Sequence, residues 1–514
     1  MKPFVDAAHN HQLSISKPLS SSYEPTSVLD LRSSPASAAI PAGVVTDEQP
    51  SSFLPIDEWD SMLSDLREKD DYAPALTNFI PQLETLNPQN LLLLPTPFPP
   101  HDPFDPSDLN HSIHPNDLVF NPSVERSDLS QIPSSSASSF DRFQLEQLIQ
   151  AAECVDSNDL TLAQVILARL NQQLLYPVGK PLQRAAFYFK EAIESLLLGG
   201  QQQQHNSKIA SSHWETVQKI VAYKAFSDLS PIFQFANFTA NQAILEAVDD
   251  RLRFVHVIDF DIGLGGQWPS FMQEIAMKCR GSGRVPAASL RITAIVAEES
   301  METRLAGDIL CSFARELGIR FQIDFVELAG FETLGLSSIR FVEGEAVVVN
   351  LSPWIFRQIG GAGTAGFFRL LRRISPRIAV FIDGECRRDG AGVPPFRRTF
   401  IDGLEFYSVL LESLDAAAEI GGAAEQVRRI ERFLLRQRIF RWVEAAVNRM
   451  VPWSELLGGS GMEPVPLSEA TESQAECLRR RVPLREFQVV KRHASLMLCW
   501  QRRELVATSA WRFS

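Results

Sequence analysis

The spacing of apolar positions divides this chain into three stretches. Through the first 140 residues it keeps no regular period, and 19 of the 32 prolines fall there, with serine clusters at 20–22 and 134–139. From Asp141 a helical spacing sets in: Leu145, Leu148, Ile149 and Ala152, then Ser157-Asn158-Asp159 as an N-cap signal, then Leu160, Ala163, Ile166, Leu167, Leu170 and Leu174. Residues 181–198 and 223–247 continue as amphipathic helices, separated by a Gln-rich tract at 199–205 that reads as a flexible insert. From Phe254 onward short apolar runs alternate with helical segments. Strands are predicted at 255–260, 290–296, 321–327, 346–351 and 378–382, with helices between them at 301–317 and 366–374. Long helices follow at 400–415 and 424–448, and three closing strands at 485–490, 495–500 and 504–509.

Runs such as Ala346-Val347-Val348-Val349-Asn350-Leu351 are almost continuously apolar, as in parallel strands covered on both faces. Five such strands followed by an antiparallel pair is the order of methyltransferase-like Rossmann folds. The predicted fold class is therefore α/β: a Rossmann-like, mostly parallel sheet with a helical cap, preceded by a disordered N-terminal region. The expected boundaries are 1–140 for an acidic, Pro/Ser-rich regulatory region and 141–514 for one folded domain. Within that domain, 141–250 form the mainly helical cap and 251–514 the α/β core, with a later helical insert as a possible addition to the cap.

Charge sharpens the division. Residues 1–140 carry 19 acids and 6 bases, a net −13; residues 141–350 come to −7 and residues 351–514 to +7. Such an N-terminal segment buries too little apolar surface to offset its ordering entropy. One island in it, residues 53–66, sets Phe53, Trp59, Met62 and Leu66 among acids, a composition suited to an amphipathic helix formed on a partner. Residues 91–100 are apolar and proline-rich. The six cysteines are scattered without a C-x-x-C, and the nine histidines without H-x-x-x-H, so neither a disulfide framework nor a metal site is expected. No apolar run approaches the ~18 residues a membrane span needs. A soluble, intracellular protein is expected.

The candidate chemistry sits at 254–276. A β-branched strand ends in Asp259-Phe260-Asp261 and passes through Gly263-Leu264-Gly265-Gly266 into Gln267, Trp268 and an amphipathic helix. Strand, glycine turn and helix is how a doubly wound domain opens a nucleotide pocket. An enzyme using S-adenosylmethionine places acid-x-Gly-x-Gly there, with a second acid at the end of the next strand to hold a ribose. Asp259 or Asp261, Gly263, Gly265, Gly266 and Glu298 or Glu299 are the candidates, as a vestigial pocket. Against them, Gln267 and bulky Trp268 follow where a third small residue would help. The alternative is that Asp259 and Asp261 cap the helix or pair internally while the glycines only shape the turn. His256, inside an apolar strand, reads as a satisfied core histidine, and His493 as a solvated turn residue. No nucleophile elbow and no Walker lysine is present. No catalytic residue, cofactor or metal is assigned.

Val255-His256-Val257-Ile258-Asp259 resembles the VHIID motif of the plant GRAS regulators, and its extension to Trp268 looks like their Hairy Meristem (SCARECROW-like) branch. Residues 166–171 (ILARLN) resemble a string of the family's first leucine-rich region. Residues 404–415, with Arg432 and Pro394-Pro395-Phe396 nearby, resemble its PFYRE region, and Ser509-Ala510-Trp511 is similar to its SAW motif. Trp511 follows an apolar strand, and its ring is expected to be buried. The resemblance covers 141–514. It implies a nuclear regulator or co-regulator of transcription in plant development, in meristem maintenance for that branch. It also implies WUSCHEL-type homeodomain partners, transcriptional coregulators, and a possible homodimer or heterodimer. The rival reading is a methyltransferase-like enzyme binding S-adenosylmethionine. The leucine stripes either pack the helical part onto itself or form a partner seam.

Arginines recur in groups: Arg372-Arg373, Arg387-Arg388, Arg397-Arg398, Arg428-Arg429, Arg479-Arg480-Arg481 and Arg502-Arg503. Arg reads phosphate and base edges well, yet no helix-turn-helix, finger or basic zipper is visible. Arg479, Arg480, Arg481, Arg502 and Arg503 are the candidates for nucleic-acid contact, with DNA reached directly or through a partner. Phe53, Trp59 and Leu66 are the candidate partner anchors.

Overall fold

A computed structural model describes residues 139–198, 213–248, 254–281, 288–386, 394–448 and 453–513. The expected regulatory region, with Phe53, Trp59 and Leu66, lies outside the described residues.

Five helices come first: α1 (Ser139–Asp156), α2 (Leu160–Gln173), α3 (Pro181–Leu197), α4 (His213–Leu229) and α5 (Ile232–Val248). Asp159 caps α2 by accepting from the Leu162 amide at 3.1 Å, in the capping segment expected from sequence. On α2, Ala163, Ile166, Leu167 and Leu170 are buried against the neighbouring helices, while Leu160, Leu162 and Val165 stay exposed.

The α/β part runs β1 (Phe254–Asp259), α6 (Trp268–Gly281), β2 (Ser289–Val296), α7 (Met301–Leu317), β3 (Arg320–Glu327), α8 (Leu328–Leu334), β4 (Ala346–Leu351), α9 (Pro353–Ile374) and β5 (Ile378–Asp383). Then come α10 (Phe396–Gly421), α11 (Ala424–Ile430), a π turn at Glu431–Leu435, α12 (Arg436–Val447), α13 (Trp453–Gly459), β6 (Met462–Val465), α14 (Glu469–Arg481), β7 (Phe487–Arg492), β8 (Ser495–Trp500) and β9 (Arg503–Phe513). The sheet order is β3-β2-β1-β4-β5-β9-β8-β7, with β6 also on β9. β1 through β5 are parallel, and β9 enters antiparallel beside β5. This is the expected Rossmann-like, mostly parallel sheet.

The central strands β1, β2, β4 and β5 are buried on both faces. Ile258, Phe260, Val349, Leu351, Ala379 and Phe381 meet Phe331 of α8, Phe356 and Phe367 of α9 and Leu457 of α13 in one apolar cluster. α5 packs on β5 and β9, where Thr239 donates to Thr508 at 2.8 Å. α10 and α12 pack on α3, so the later helices close over the N-terminal ones.

The structure corrects several element bounds. α9 starts at Pro353, thirteen residues before the expected helix, with Ser352 as its N-cap. Its Gly360-Gly361 stretch hides the helical period, and Gly360 breaks the helix at φ 62°. β6 and α14 escaped the pattern. The first is four residues with a proline, and the second buries only Thr471 and Ala475.

Candidate functional site

In a sheet of this order the strand sequence reverses between β1 and β4, and ligands of open α/β sheets bind outside the carboxyl ends at that switch point. Asp259 and Asn350 are register partners there. Both are buried, and Asn350 Nδ2 donates to Asp259 Oδ1 at 3.0 Å. The same carboxylate oxygen accepts from the Asp261 amide at 2.9 Å, and Oδ2 accepts from Trp268 Nε1 at 2.8 Å. Burial pushes the Asp259 carboxyl up to about 6, against the pull of these donors.

The bonding runs on. Asn350 Nδ2 also donates to Gln267 Oε1 at 3.1 Å, Gln267 Nε2 to Asn241 Oδ1 at 3.1 Å, and Asn241 Nδ2 to the Gln267 carbonyl at 3.1 Å. Asn350 Oδ1 is buried without a protein partner among the described residues. One step further out, Ser352 Oγ donates to Asp261 Oδ2 at 2.6 Å while accepting from the Trp354 amide. The crevice between β1 and β4 is thus bridged twice, by Asn350 to Asp259 and by Ser352 to Asp261.

The glycine turn has the conformation its sequence requires. Gly263 and Gly265 hold φ of 52° and 77°, where a side chain is disfavoured. Gly265 donates to the Ile262 carbonyl at 2.8 Å, and Trp268 to that of Gly265 at 3.2 Å. The space in front of the turn is open at Gly263 and taken by protein at Gly265 and Gly266. A Cβ on Gly265 would meet Leu310 Cδ1 of α7 at 3.1 Å, and one on Gly266 would meet the Tyr223 hydroxyl of α4 at 2.5 Å. Tyr223 stacks on Phe233 with centroids 4.5 Å apart, and burial pushes its phenol up to about 12. Trp268 is fully buried, edge-on to Phe271. The open backbone approach a nucleotide cofactor uses at this turn is therefore filled at Gly265 and Gly266, and the residues do not fit S-adenosylmethionine.

The other sequence candidates scatter. Glu298 lies exposed past the end of β2, and neighbouring Glu299 pairs with Arg304 at 3.0 Å. Val255, Val257 and Ile258 are core residues. His256 is buried, its Nε2 2.9 Å from Thr293 Oγ1 and its Nδ1 3.3 Å from Arg291, which is paired with Glu345. Burial, then the Arg291 charge, lowers its pKa to about 3, so it stays neutral and structural. His493 is exposed at φ 52° in the β7–β8 turn.

Ser509 and Ala510 are buried in β9, and Thr508 between the two sheet neighbours faces α5. Trp511, whose ring is expected to be buried, is half-buried. Its indole rests on the apolar cluster and donates to Ser509 Oγ at 2.9 Å. Arg479 and Arg480 at the end of α14 face Glu476, and Arg503 pairs with Glu405 at 3.1 Å. Arg481 is half-buried, and Arg502 lies exposed at φ 66° in the β8–β9 turn. A cleft lined by Glu153, Ser157, Pro395, Arg397 and Arg398 opens between α1 and α10, and Arg397 reaches Glu153 at 2.5 Å across it.

A second buried polar cluster had no sequence signal. Arg184 of α3 donates twice to Asp415 of α10, at 3.0 and 2.8 Å, and lies 3.1 Å from Glu431 at the start of the π turn. Burial pushes Glu431 up to about 7 despite Arg184. Its members lie up to 247 residues apart in sequence, so only the fold brings them together.

The GRAS domain family matches residues 144–512. Scarecrow-like protein 15 of Arabidopsis thaliana is 43% identical over 493 residues, covering 91% of this chain and 96% of that protein. Scarecrow-like protein 6 of Arabidopsis thaliana is 42% identical over 375 residues, covering 71% of this chain and 62% of that protein. Among solved structures, that of SCL7 in Oryza sativa aligns with a TM-score of 0.55 at 29% identity, over 72% of this chain and 99% of that one.

Proposed function

This chain belongs to the GRAS domain family, and from that premise we propose that it is a nuclear regulator of transcription in plant development that works by assembly and catalyses no reaction. The observation that carries this reading is the bridged switch point. Asn350 and Trp268 use both oxygens of Asp259, and Tyr223 and Leu310 occupy the approach to Gly266 and Gly265. A site spent on its own side chains holds a rigid platform instead of a substrate.

On that platform the finer assignments are meristem maintenance, as in the Hairy Meristem branch, and a homeodomain partner of the WUSCHEL type that brings the complex to its DNA site. The acidic island at 53–66 supplies coregulator contact through Phe53, Trp59 and Leu66, since acids keep these anchors accessible to a grooved partner. The exposed Leu160, Leu162 and Val165 on α2 are the part of the leucine stripe left over for a partner or a second copy.

The test is a nuclear reporter. The full chain is fused to a heterologous DNA-binding domain and tethered at a promoter. The reading expects a change in output that is lost when Phe53, Trp59 and Leu66 become alanine together. Equal output from parent and triple variant contradicts the coregulator role, and no effect of the tethered parent contradicts the regulator.

A further inference from the structure

We propose that one corner of the α/β core, formed by Arg369, Arg372 and Arg373 of α9 with Arg512 of β9, is a docking surface for the phosphate backbone of duplex DNA.

The chain between Glu345 and Asp383 carries five arginines and no acidic residue. Three of them stand at i, i+3 and i+4 on the last turns of α9, which puts them on one side of the helix. They are exposed there, while Phe367, Phe368 and Leu371 turn the opposite side into the core. Arg512 joins them from the end of β9. Its Nε donates to the Arg377 carbonyl at 3.2 Å, and the Arg372 guanidinium lies 5.4 Å from the ring of neighbouring Phe513. Arg377 itself turns away and donates to the Ala247 carbonyl.

Among the described residues, every other one of the chain's arginine groups has at least one member on a carboxylate, and none of the cations of this corner has one. Arg397, Arg398, Arg428, Arg479, Arg492 and Arg503 each face an Asp or Glu. Arg369, Arg372, Arg373 and Arg512 make no ion pair among the described residues. Glu463 is the register partner of Arg512 on β6 and is the acid set beside the corner by the strand pairing. Favourable contact with the carbonyl end of α9 accounts for Arg372 and Arg373 in the last turn. It does not account for Arg369, a turn earlier, or for Arg512 on another element.

The choice of nucleic acid over an acidic protein rests on the lack of an apolar anchor. Protein interfaces concentrate their affinity in desolvated aromatic and aliphatic anchors. Among the described residues the exposed large apolar side chains include none from α9, β5, β6 or β9. Phosphate contact needs only cations placed along a charged backbone, and guanidinium is suited to it. Four such contacts position a protein on DNA without reading sequence, so base choice is left to a partner. The proposal rests on the assembly reading for its biological setting alone. Failure of the corner leaves the tethered reporter unaffected, because tethering bypasses DNA contact.

The experiment is fluorescence anisotropy of the full chain on a mixed-sequence duplex, titrated at several salt concentrations. The parent is compared with R369Q/R372Q/R373Q/R512Q and with R479Q/R480Q/R481Q. Each phosphate contact contributes about 0.9 to the slope of log K against log salt, so the corner variant flattens that slope by about 3 to 4. The α14 variant keeps the parent slope, and all three proteins unfold alike in urea. Parent and corner variant with the same slope overturn the proposal. So does a corner variant that loses affinity for an acidic peptide of residues 53–66 and keeps the parent's DNA slope, which would make the corner a protein-docking face.

Discussion

Replacing Gly266 by alanine distinguishes a filled turn from an open one. The added Cβ lies 2.5 Å from the Tyr223 hydroxyl, 3.2 Å from its Cζ and 3.3 Å from Cε1. The ring cannot swing aside freely, because it stacks on Phe233, which in turn packs edge-on to buried Phe226. Forcing an extra methyl into such packing costs ~1–3 kcal/mol. Tyr223→Phe removes the closest atom and leaves contacts that relax with a shift of a few tenths of an ångström. The alanine then costs under ~1 kcal/mol, and the two changes couple by roughly 1–2 kcal/mol, within the range for residues in contact. Urea unfolding of the four proteins of the cycle, followed by near-UV circular dichroism, measures this. A glycine kept for a ligand's sake predicts something else: Gly266→Ala would leave the urea midpoint unmoved, or cost the same in both backgrounds. Either result refutes the claim that Tyr223 occupies the approach.

Three further outcomes follow from the same geometry. Asp259 and Glu431 have folded-state values raised to about 6 and about 7, from 3.8 and 4.5. The folded state therefore binds more protons than the unfolded one between about pH 4 and 7, and these groups make stability fall as pH rises through that window. Where one such group is protonated in the folded state and ionised in the unfolded one, the fall is roughly 1.4 kcal/mol for each step of one in pH. Asp259→Asn combined with Glu431→Gln flattens the pH series of urea midpoints, and a steeper fall in the variant contradicts the assignment. Arg184→Met leaves Glu431 and Asp415 facing each other without a cation and costs ~3–5 kcal/mol in the same melts, whereas a change under ~1 kcal/mol shows the cluster to be solvated. Trp511→Ala removes a ring that is only half-buried, so it costs ~2 kcal/mol, below the ~3–5 kcal/mol of a fully buried aromatic; coincident melts of mutant and parent make it a surface residue.

The centre of the sheet was legible because β1, β2, β4 and β5 are covered on both faces. Val255-His256-Val257-Ile258 and Val347-Val348-Val349 could belong only to buried strands, and β1, β2, β3, β4, β5 and β8 fall within a residue of their expected bounds. The polar elements were not legible. α14 has two buried residues in thirteen and so no apolar stripe, and α9's glycines mask its first turns. At the candidate site the sequence offered Asp259, Asp261 and the glycines, with Gln267 and bulky Trp268 beside them; in the structure Trp268 is buried and donates to Asp259, and the atoms facing Gly265 and Gly266 are those of Leu310 and Tyr223. The sequence could not choose which aspartate is internal, because that depends on Asn350 and Ser352 arriving from β4, some 91 residues away. Tyr223, which fills the approach, comes from a helix with no local connection to the turn. Pairing of arginines with acids is part local and part tertiary: Arg479 and Arg480 face Glu476 at i,i+3 and i,i+4 on α14, which the spacing already offers, whereas Arg397 meets Glu153 and Arg503 meets Glu405 only through the fold.

The central claim is that the switch point between β1 and β4 is closed by the chain's own side chains. Isothermal titration of the full protein with S-adenosylmethionine tests it most directly, with thermal unfolding as the second readout. A bound ligand at about 100 times its dissociation constant would stabilise the fold by ~2.7 kcal/mol. A closed switch point predicts no saturable heat and no thermal shift. A saturable heat with a matching shift, both abolished by Asp261→Ala, would contradict it.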